Sequence, residues 1–343
     1  MKRKNIFSLL LIAIIFLMST QSFALIKKTG QAGMTYLSIS LGARESALGD
    51  ASVALVKGVQ GLFYNQASLT QFEGFRFVVN QVNWIAKNNL YGVGAAYGFG
   101  RFGTVGVDLV YMDYDNMVGT APVDKAIDPR GFVITGDLNP QDYAMGVSYA
   151  YKVNTKFSFG GKVKFVHEDL GSAPIAVSVI DEENGIYEYE DREWSLNHWG
   201  FDFGASYDVG YKDLVFAVAF QNFSTEMKYW REEFKMPLIL RMGLAMDLAK
   251  VFFPNEKQFE INTSIDALHP NDYTERLHIG TEFVYAKMIA IRAGYKFNYD
   301  VENFSFGLGF NFKIQNFGAS IDYAYTNTQY FSGINRFSLR IGF

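Results

Sequence analysis

From Phe75 to the carboxy terminus, apolar residues alternate with polar or small ones. Tyr91, Val93, Ala95, Tyr97 and Phe99 share one parity, and Gly92, Gly94, Ala96 and Gly98 the other. Val105, Val107, Leu109 and Tyr111 oppose Gly106 and Asp108, and Tyr143 to Tyr151, Leu238 to Met246 and Phe304 to Phe312 repeat the scheme. A period of two puts successive side chains on opposite faces of a strand. The pattern predicts an all-β chain of about fourteen antiparallel strands, an even number that can close into a barrel. Connections alternate in length. Those near Gly100, Asn154, Gly210, Ala286 and Lys313 are tight, whereas Tyr114 to Pro140, Leu170 to Ser195 and Ser224 to Met236 are long. One connection on the short side, Ala249 to Lys257, is longer and carries Val251, Phe252 and Phe253. A β-sandwich also alternates, but its strands are shorter, about five or six residues.

Lys2, Arg3 and Lys4 precede an apolar run from Ile6 to Met18, and small residues at Ser22 and Ala24 follow. This predicts a signal peptide over residues 1–24, cleaved after Ala24. The run is shorter than the ~20 residues that span a bilayer as a helix. With no cysteine in the chain, disulfides, thiolate catalysis and zinc-thiolate sites are excluded. The chain holds 32 Phe, 21 Tyr and 32 Gly among 343 residues, yet its mean hydropathy is near zero. Strands that meet lipid on one face and a polar interior on the other have this composition. A net charge of -4 gives no reason to expect a nucleic-acid partner.

The last strand, from Ile334, places Phe337, Leu339, Ile341 and Phe343 on one face and Arg336, Ser338, Arg340 and Gly342 on the other. This ending resembles the assembly signal of bacterial outer-membrane barrels. The resemblance implies a transmembrane barrel in the bacterial outer membrane, in contact with its lipids and with the barrel-assembly machinery.

Residues 25–73 do not alternate. Ser40 to Leu55 is rich in small residues with apolar ones at roughly helical spacing. About fourteen strands enclose a lumen too wide for their own side chains to fill. The segment is therefore expected to be an amino-terminal hatch inside the lumen, with the barrel occupying 74–343. Gly42-Ala43-Arg44, then Gly49-Asp50, then Asn65-Gln66-Ala67, resemble the hatch of PorV/PorQ-type outer-membrane proteins, relatives of FadL-like transporters. The likeness continues through Asp266 to Asp272, Gly280 to Glu282, Ile291 to Tyr295 and Gly307 to Gly309. Asp50 stands where such hatches usually have a second glycine, Gln66 where they have proline, and Ser68 where they have glycine. The resemblance implies a type IX secretion component that receives secreted proteins bearing a carboxy-terminal sorting domain. The alternative it leaves is FadL-like passage of a hydrophobic small molecule.

Parity directs Asp108, Asp202, Asp208, Arg241, Asp247, Glu260, Asp266, Glu282, Arg292, Lys296, Arg336 and Arg340 inward. Arg241, Glu282 and Arg292 are expected to tie hatch to wall, since charge away from water needs a partner. Four histidines, His167, His198, His269 and His278, fall on different segments, and Ser264 with His278 forms at most a polar wall. No enzyme, cofactor or metal site is expected. Asp181 to Glu193 is acidic, and Phe132 to Ile134 with Ile175, Val177, Val179 and Ile180 are apolar runs within long outer connections. Such runs cover a barrel mouth or offer a docking surface.

Overall fold

The computed structural model describes residues 30–181, 186–315 and 317–343. The expected signal peptide, residues 25–29 and the acidic tip 182–185 lie outside the described residues, as do the side chains of Ile175, Val177, Val179 and Ile180. Strands β1 (Gly74–Asn83), β2 (Asn89–Gly98) and β3 (Thr104–Asp113) lead to a small hairpin, β4 (Met117–Pro122) and β5 (Phe132–Leu138). Next come β6 (Gln141–Lys152), β7 (Phe157–Asp181), β8 (Ile186–Asp208) and β9 (Val215–Phe223). A second hairpin, β10 (Met227–Lys228) and β11 (Glu233–Phe234), precedes β12 (Ile239–Asp247) and β13 (Phe259–Pro270). The chain ends with β14 (Arg276–Tyr285), β15 (Ile289–Phe297), β16 (Glu302–Ile314), β17 (Phe317–Thr328) and β18 (Ile334–Gly342).

Among the described residues, all strands except the two hairpins join one closed antiparallel barrel of fourteen, as the alternation predicts. Closure pairs β1 with β18, setting Phe77 opposite Ile341 and Val79 opposite Leu339. Closure satisfies every edge, which a sheet in lipid requires because no water is there to bond an open one. Phe343 sits on this seam: its N–H donates to the Phe75 carbonyl at 3.0 Å, and its ring lies 6.4 Å from Phe75 and 5.4 Å from Phe317. The terminal aromatic thus fastens the two ends of the sheet together.

Parity and burial agree along the wall. On β3, Val105, Val107, Leu109 and Tyr111 are exposed, while Gly106, Asp108, Val110 and Met112 are buried. Val107, Phe203 and Leu308 are 51%, 53% and 57% exposed. Apolar exposure on this scale, repeated round the barrel, needs a hydrocarbon surround. Outward rings also pair across strands, as Phe259 with Phe283 at 5.6 Å and Tyr323 with Phe337 at 5.2 Å.

The three long connections, which carry the β4–β5 hairpin, the β7–β8 extension and the β10–β11 hairpin, all leave from the end opposite the two barrel termini, which assigns the end with the termini to the periplasm. Ala249–Phe252 forms a short helix there, with Phe252 and Phe253 exposed. At the other end two expectations are corrected. Leu170 to Ser195 is not a loop, because β7 and β8 run on as a hairpin with Ser172 opposite Glu193. An irregularity between Asp169 and Ser172 absorbs the change of register, and the Tyr-Glu alternation at 187–190 continues an extended chain. Likewise, Phe132, Val133 and Ile134 belong to β5, paired with Pro122, Ala121 and Thr120. Asp208, expected inside, is exposed at the end of its strand.

Residues 34–72 pass through the ring of strands. Helix α1 (Ala43–Ala47) packs against β15 to β18, the turn at Gly58–Leu62 against β1 to β3, and the turn at Gln66–Gln71 against β6 to β8. The helical spacing seen over residues 40–55 yields only this one short helix, after which the chain reverses. Inward wall glycines make room for it. A Cβ at Gly280 or Gly294 would enter the backbone of Leu48, and one at Gly160 or Gly204 would strike Gln66 or Asn65.

Reversing a lipid-facing position tests the parity. Val107→Arg should lower unfolding stability by about 2–4 kcal/mol in a denaturant titration in vesicles. Ile289→Arg, exposed at the first residue of β15 on the periplasmic rim, should cost about 0–1 kcal/mol. Equal costs would show the outward face to be misassigned.

Candidate functional site

The residues expected to form the hatch converge on the inner wall. Gly42 donates its N–H to the Tyr64 hydroxyl at 2.7 Å, and Ala43 donates to Ser338 Oγ at 2.8 Å. Arg44, in α1, donates Nε and Nη2 to the two oxygens of Glu282 at 2.9 and 2.8 Å. Its Nη1 reaches the Leu55 carbonyl at 3.1 Å. Glu282 also accepts from Arg292 Nε at 2.5 Å, Arg292 Nη1 donates to Asp322 at 2.8 Å, and Arg340 reaches Asp322 at 2.7 Å. This chain of alternating charge, all of it buried except the partly exposed Arg340, runs from α1 to residues on four strands, β14, β15, β17 and β18. Bidentate pairing of this kind offsets the desolvation of the ions.

Gly49 and Asp50 both take left-handed backbone angles, φ 62° and 59°. Asp tolerates that region better than most residues, so the chain can turn without a second glycine. The departure also adds a contact: Asp50 pairs with Lys296 at 2.5 Å, and Lys296 with Glu302 at 2.5 Å. Burial acts to raise the Asp50 carboxyl, but Lys296 and Arg336 hold it well below the usual range. Burial pushes Glu45 up, with Arg44 pulling against it. Asn65 accepts from Ala67 N–H at 3.1 Å and donates to the Val53 carbonyl at 3.1 Å. Gln66 donates to the Leu62 carbonyl at 3.4 Å, and its Oε1 has no partner.

Arg241 departs from expectation. It is buried in the lumen, but its Nε and Nη1 have no hydrogen-bond partner, and it makes no ion pair with the amino-terminal segment among the described residues. A second set of buried charge, Lys162 with Asp108 at 2.9 Å and Lys164 with Asp202 at 2.7 Å, lies on β3, β7 and β8. Reading charged residues from the more regular strands passed over the two lysines. The signal was present, because both share inward parity opposite Val163 and Phe165. Asp322 was missed in the same way.

The histidines stay apart. His278 bonds Tyr299 at 2.9 Å, His167 bonds Asn197 at 2.8 Å, His198 bonds Thr225 at 3.0 Å, and His269 meets Glu275 at 3.3 Å. Ser264 donates to Asp266 at 3.2 Å, so it is not bonded to His278. Among the described residues no cluster of metal-ligand side chains occurs.

At the outer mouth the amino-terminal segment is sewn to the second hairpin, with Gly33 N–H donating to the Lys235 carbonyl at 3.1 Å. Met34, Tyr36, Met227 and Met236 form a buried apolar cluster below it. Tyr229 stacks near Trp194 and Phe234 and donates to Glu168 at 2.8 Å. Burial, together with Glu168, pushes its hydroxyl well above the usual range. Arg192 and Arg231 both lie over the Trp230 ring, at 4.7 and 4.2 Å.

A closed barrel with a lipid-facing apolar belt and short turns at the end that carries its termini is an outer-membrane β-barrel. Residues 134–340, more than half of the chain, match the family described as type IX secretion system membrane protein PorP/SprF, and the chain belongs to that family. Its fold is that of solved hydrocarbon and FadL-like barrels. The CymD monoaromatic hydrocarbon channel aligns over 90% of this chain and 97% of its own, with a TM-score of 0.54 and 14% identity. The Pseudomonas putida toluene transporter TodX aligns over 88% and 98%, at 0.56 and 12%. A Pseudomonas aeruginosa FadL homologue aligns over 88% and 98%, at 0.53 and 9%. No curated protein matches the sequence.

Two variants test how the segment is held. Glu282→Gln leaves Arg44 and Arg292 buried with less countercharge and should lower stability by about 3–5 kcal/mol in urea. Gly294→Val should retain the heat-dependent gel mobility of a folded barrel while exposing residues 34–72 to added protease. Continued protection would mean that the segment does not need this close approach.

Proposed function

We propose that this protein is a surface-docking component of type IX secretion, in which residues 25–73 act as a fixed hatch and the outer hairpins receive a protein partner. The observation that carries the proposal is the occupied lumen. Arg44, Asp50, Ser52 and Val53 are each bonded to the wall, and the apolar cluster around Met34 and Tyr36 caps the outer side. A barrel filled in this way has its working surface outside. That surface is large: β4 with β5, the extension of β7 and β8, and β10 with β11 all stand at the outer end, where Val118, Ile127 and Ile134 are exposed.

The PorV/PorQ resemblance supplies the finer reading, that the partner is a secreted protein with a carboxy-terminal sorting domain. A second reading is FadL-like passage of a hydrophobic molecule, favoured by the barrels that share this fold. The ion pairs between segment and wall weigh against it, because a path through the lumen would have to break them.

Purification from the native outer membrane in mild detergent, followed by mass spectrometry, tests the proposal. Exported proteins sharing a carboxy-terminal domain should accompany the wild-type barrel and be lost when residues 117–138 or 172–193 are replaced by a short turn. Partners unaffected by either deletion would refute docking at the outer hairpins. Bound hydrophobic molecules without such proteins would favour passage.

A further inference from the structure

Two carboxylates stand opposite each other on the inner wall near the outer mouth. Asp142 on β6 and Glu168 on β7 are register partners, and with exposures of 1% and 7% both face inward. Side chains so placed have Cβ atoms about 5 Å apart, and like charges there repel. Buried acids elsewhere in the lumen meet a cation, as Asp108 meets Lys162, Asp202 meets Lys164 and Asp322 meets Arg292. Among the described residues neither member of this pair meets lysine or arginine; each meets a tyrosine instead. Asp142 Oδ2 accepts from the Tyr114 hydroxyl, while its Oδ1 is sealed from solvent without a partner. Glu168 Oε1 accepts from the Tyr229 hydroxyl at 2.8 Å.

The surroundings do not neutralise the pair. Tyr36, from the segment inside the lumen, packs beside it and donates to the Tyr143 carbonyl at 2.7 Å. The three tyrosines stay neutral, since phenols ionise only near pH ~10. His167 lies on the opposite face of β7, stacked on Tyr143 at 4.8 Å and bonded to Asn197, and Asp169 follows Glu168 in the chain. Glu168 also lines a cavity of about 720 Å³ that opens at the outer mouth, and Asp142 does not. The other charged groups on that cavity are Glu226, Glu232, Glu233, Asp272 and Lys235, and Lys235 is already paired with Glu226 at 3.1 Å. The local field is therefore negative. Desolvation and repulsion then act in one direction, toward a proton on one carboxyl of the two.

We propose that Asp142 and Glu168 hold one proton between them at neutral pH and act as a pH-dependent latch for the second outer hairpin. While the proton is present the site stays dry, and Tyr229, in the turn between β10 and β11, is fastened to the wall through Glu168. Once it leaves, two anions face each other and one must find water. Glu168 has the route, because it borders the open cavity. Its movement into that cavity breaks the bond to Tyr229 and frees the hairpin. The closed state binds one more proton than the open state, so a rise in pH favours opening. The latch concerns how the hairpin is held and applies whatever partner the outer face receives.

The chain has no cysteine, so Lys228→Cys, exposed on β10, gives a single site for a spin label on the purified barrel in nanodiscs. The label should pass from immobile to mobile as the pH is raised from about 5 to about 9, the range into which burial shifts a carboxyl. Asp142→Asn removes one of the two charges and should keep the label immobile throughout. Glu168→Gln should do the same, because its amide oxygen still accepts from Tyr229. His167→Gln should leave the transition in place. A label that stays immobile across the range without these substitutions would overturn the proposal. So would a transition that survives in Asp142→Asn and Glu168→Gln, or one that is lost in His167→Gln. If one carboxyl variant does not fold, the other decides.

Discussion

One carboxylate on the inner wall holds guanidinium groups from two parts of the chain. Glu282 takes Arg44 from the segment inside the lumen and Arg292 from the neighbouring strand. Much else follows from the need to pair that charge. A ring of fourteen strands leaves a wide interior, and inward-facing side chains there must be wetted or matched. Here the wall matches part of its own charge, as in Lys162 with Asp108 and Arg292 with Asp322, and residues 34–72 supply the rest. Arg44, Asp50 and the amides of Ser52 and Val53 meet Glu282, Lys296 and Asp266 in turn. Breaking one such pair leaves its partner as an isolated ion in a low-dielectric setting, which is far more costly than the net worth of the pair.

Packing and charge act together in this arrangement. The segment can reach its partners because wall positions such as Gly280 and Gly294 lack a Cβ and let the backbone of Leu48 lie against the sheet. The tight reversal at Gly49 and Asp50 then presents the Asp50 carboxylate to Lys296. A second glycine would serve the turn equally well but would leave Lys296 with Glu302 alone. The outer face follows a separate rule, set by lipid, in which nearly any large apolar side chain is acceptable. That separation explains how barrels with identities of 9–14% share this architecture.

Outer-face parity was legible in the chain because lipid enforces a strict period of two. Phe304 to Phe312 and the closing Phe337 to Phe343 could be placed from their alternation alone. Inward parity was legible too, for Glu282 and Arg292 as for Arg241. Partnership was not. Parity says that a charge faces the lumen and not which group crosses to meet it, and that depends on the path of the non-repeating segment. Arg241 shows the gap: its position was readable, but the absence of a partner needed the full arrangement of β9, β12 and the 36–41 stretch. The extended β7–β8 hairpin was hidden for another reason, since the irregularity after Asp169 shifts the phase of the alternation and makes a continuing strand look like a loop.

The central claim is that the lumen is occupied and the barrel works from its outer surface. Current through the intact protein in a planar bilayer tests it most directly. The account predicts no steady conductance above that of the bare membrane, because residues 34–72 fill the path and are paired to the wall. A persistent open-channel current from the purified, full-length barrel would contradict it.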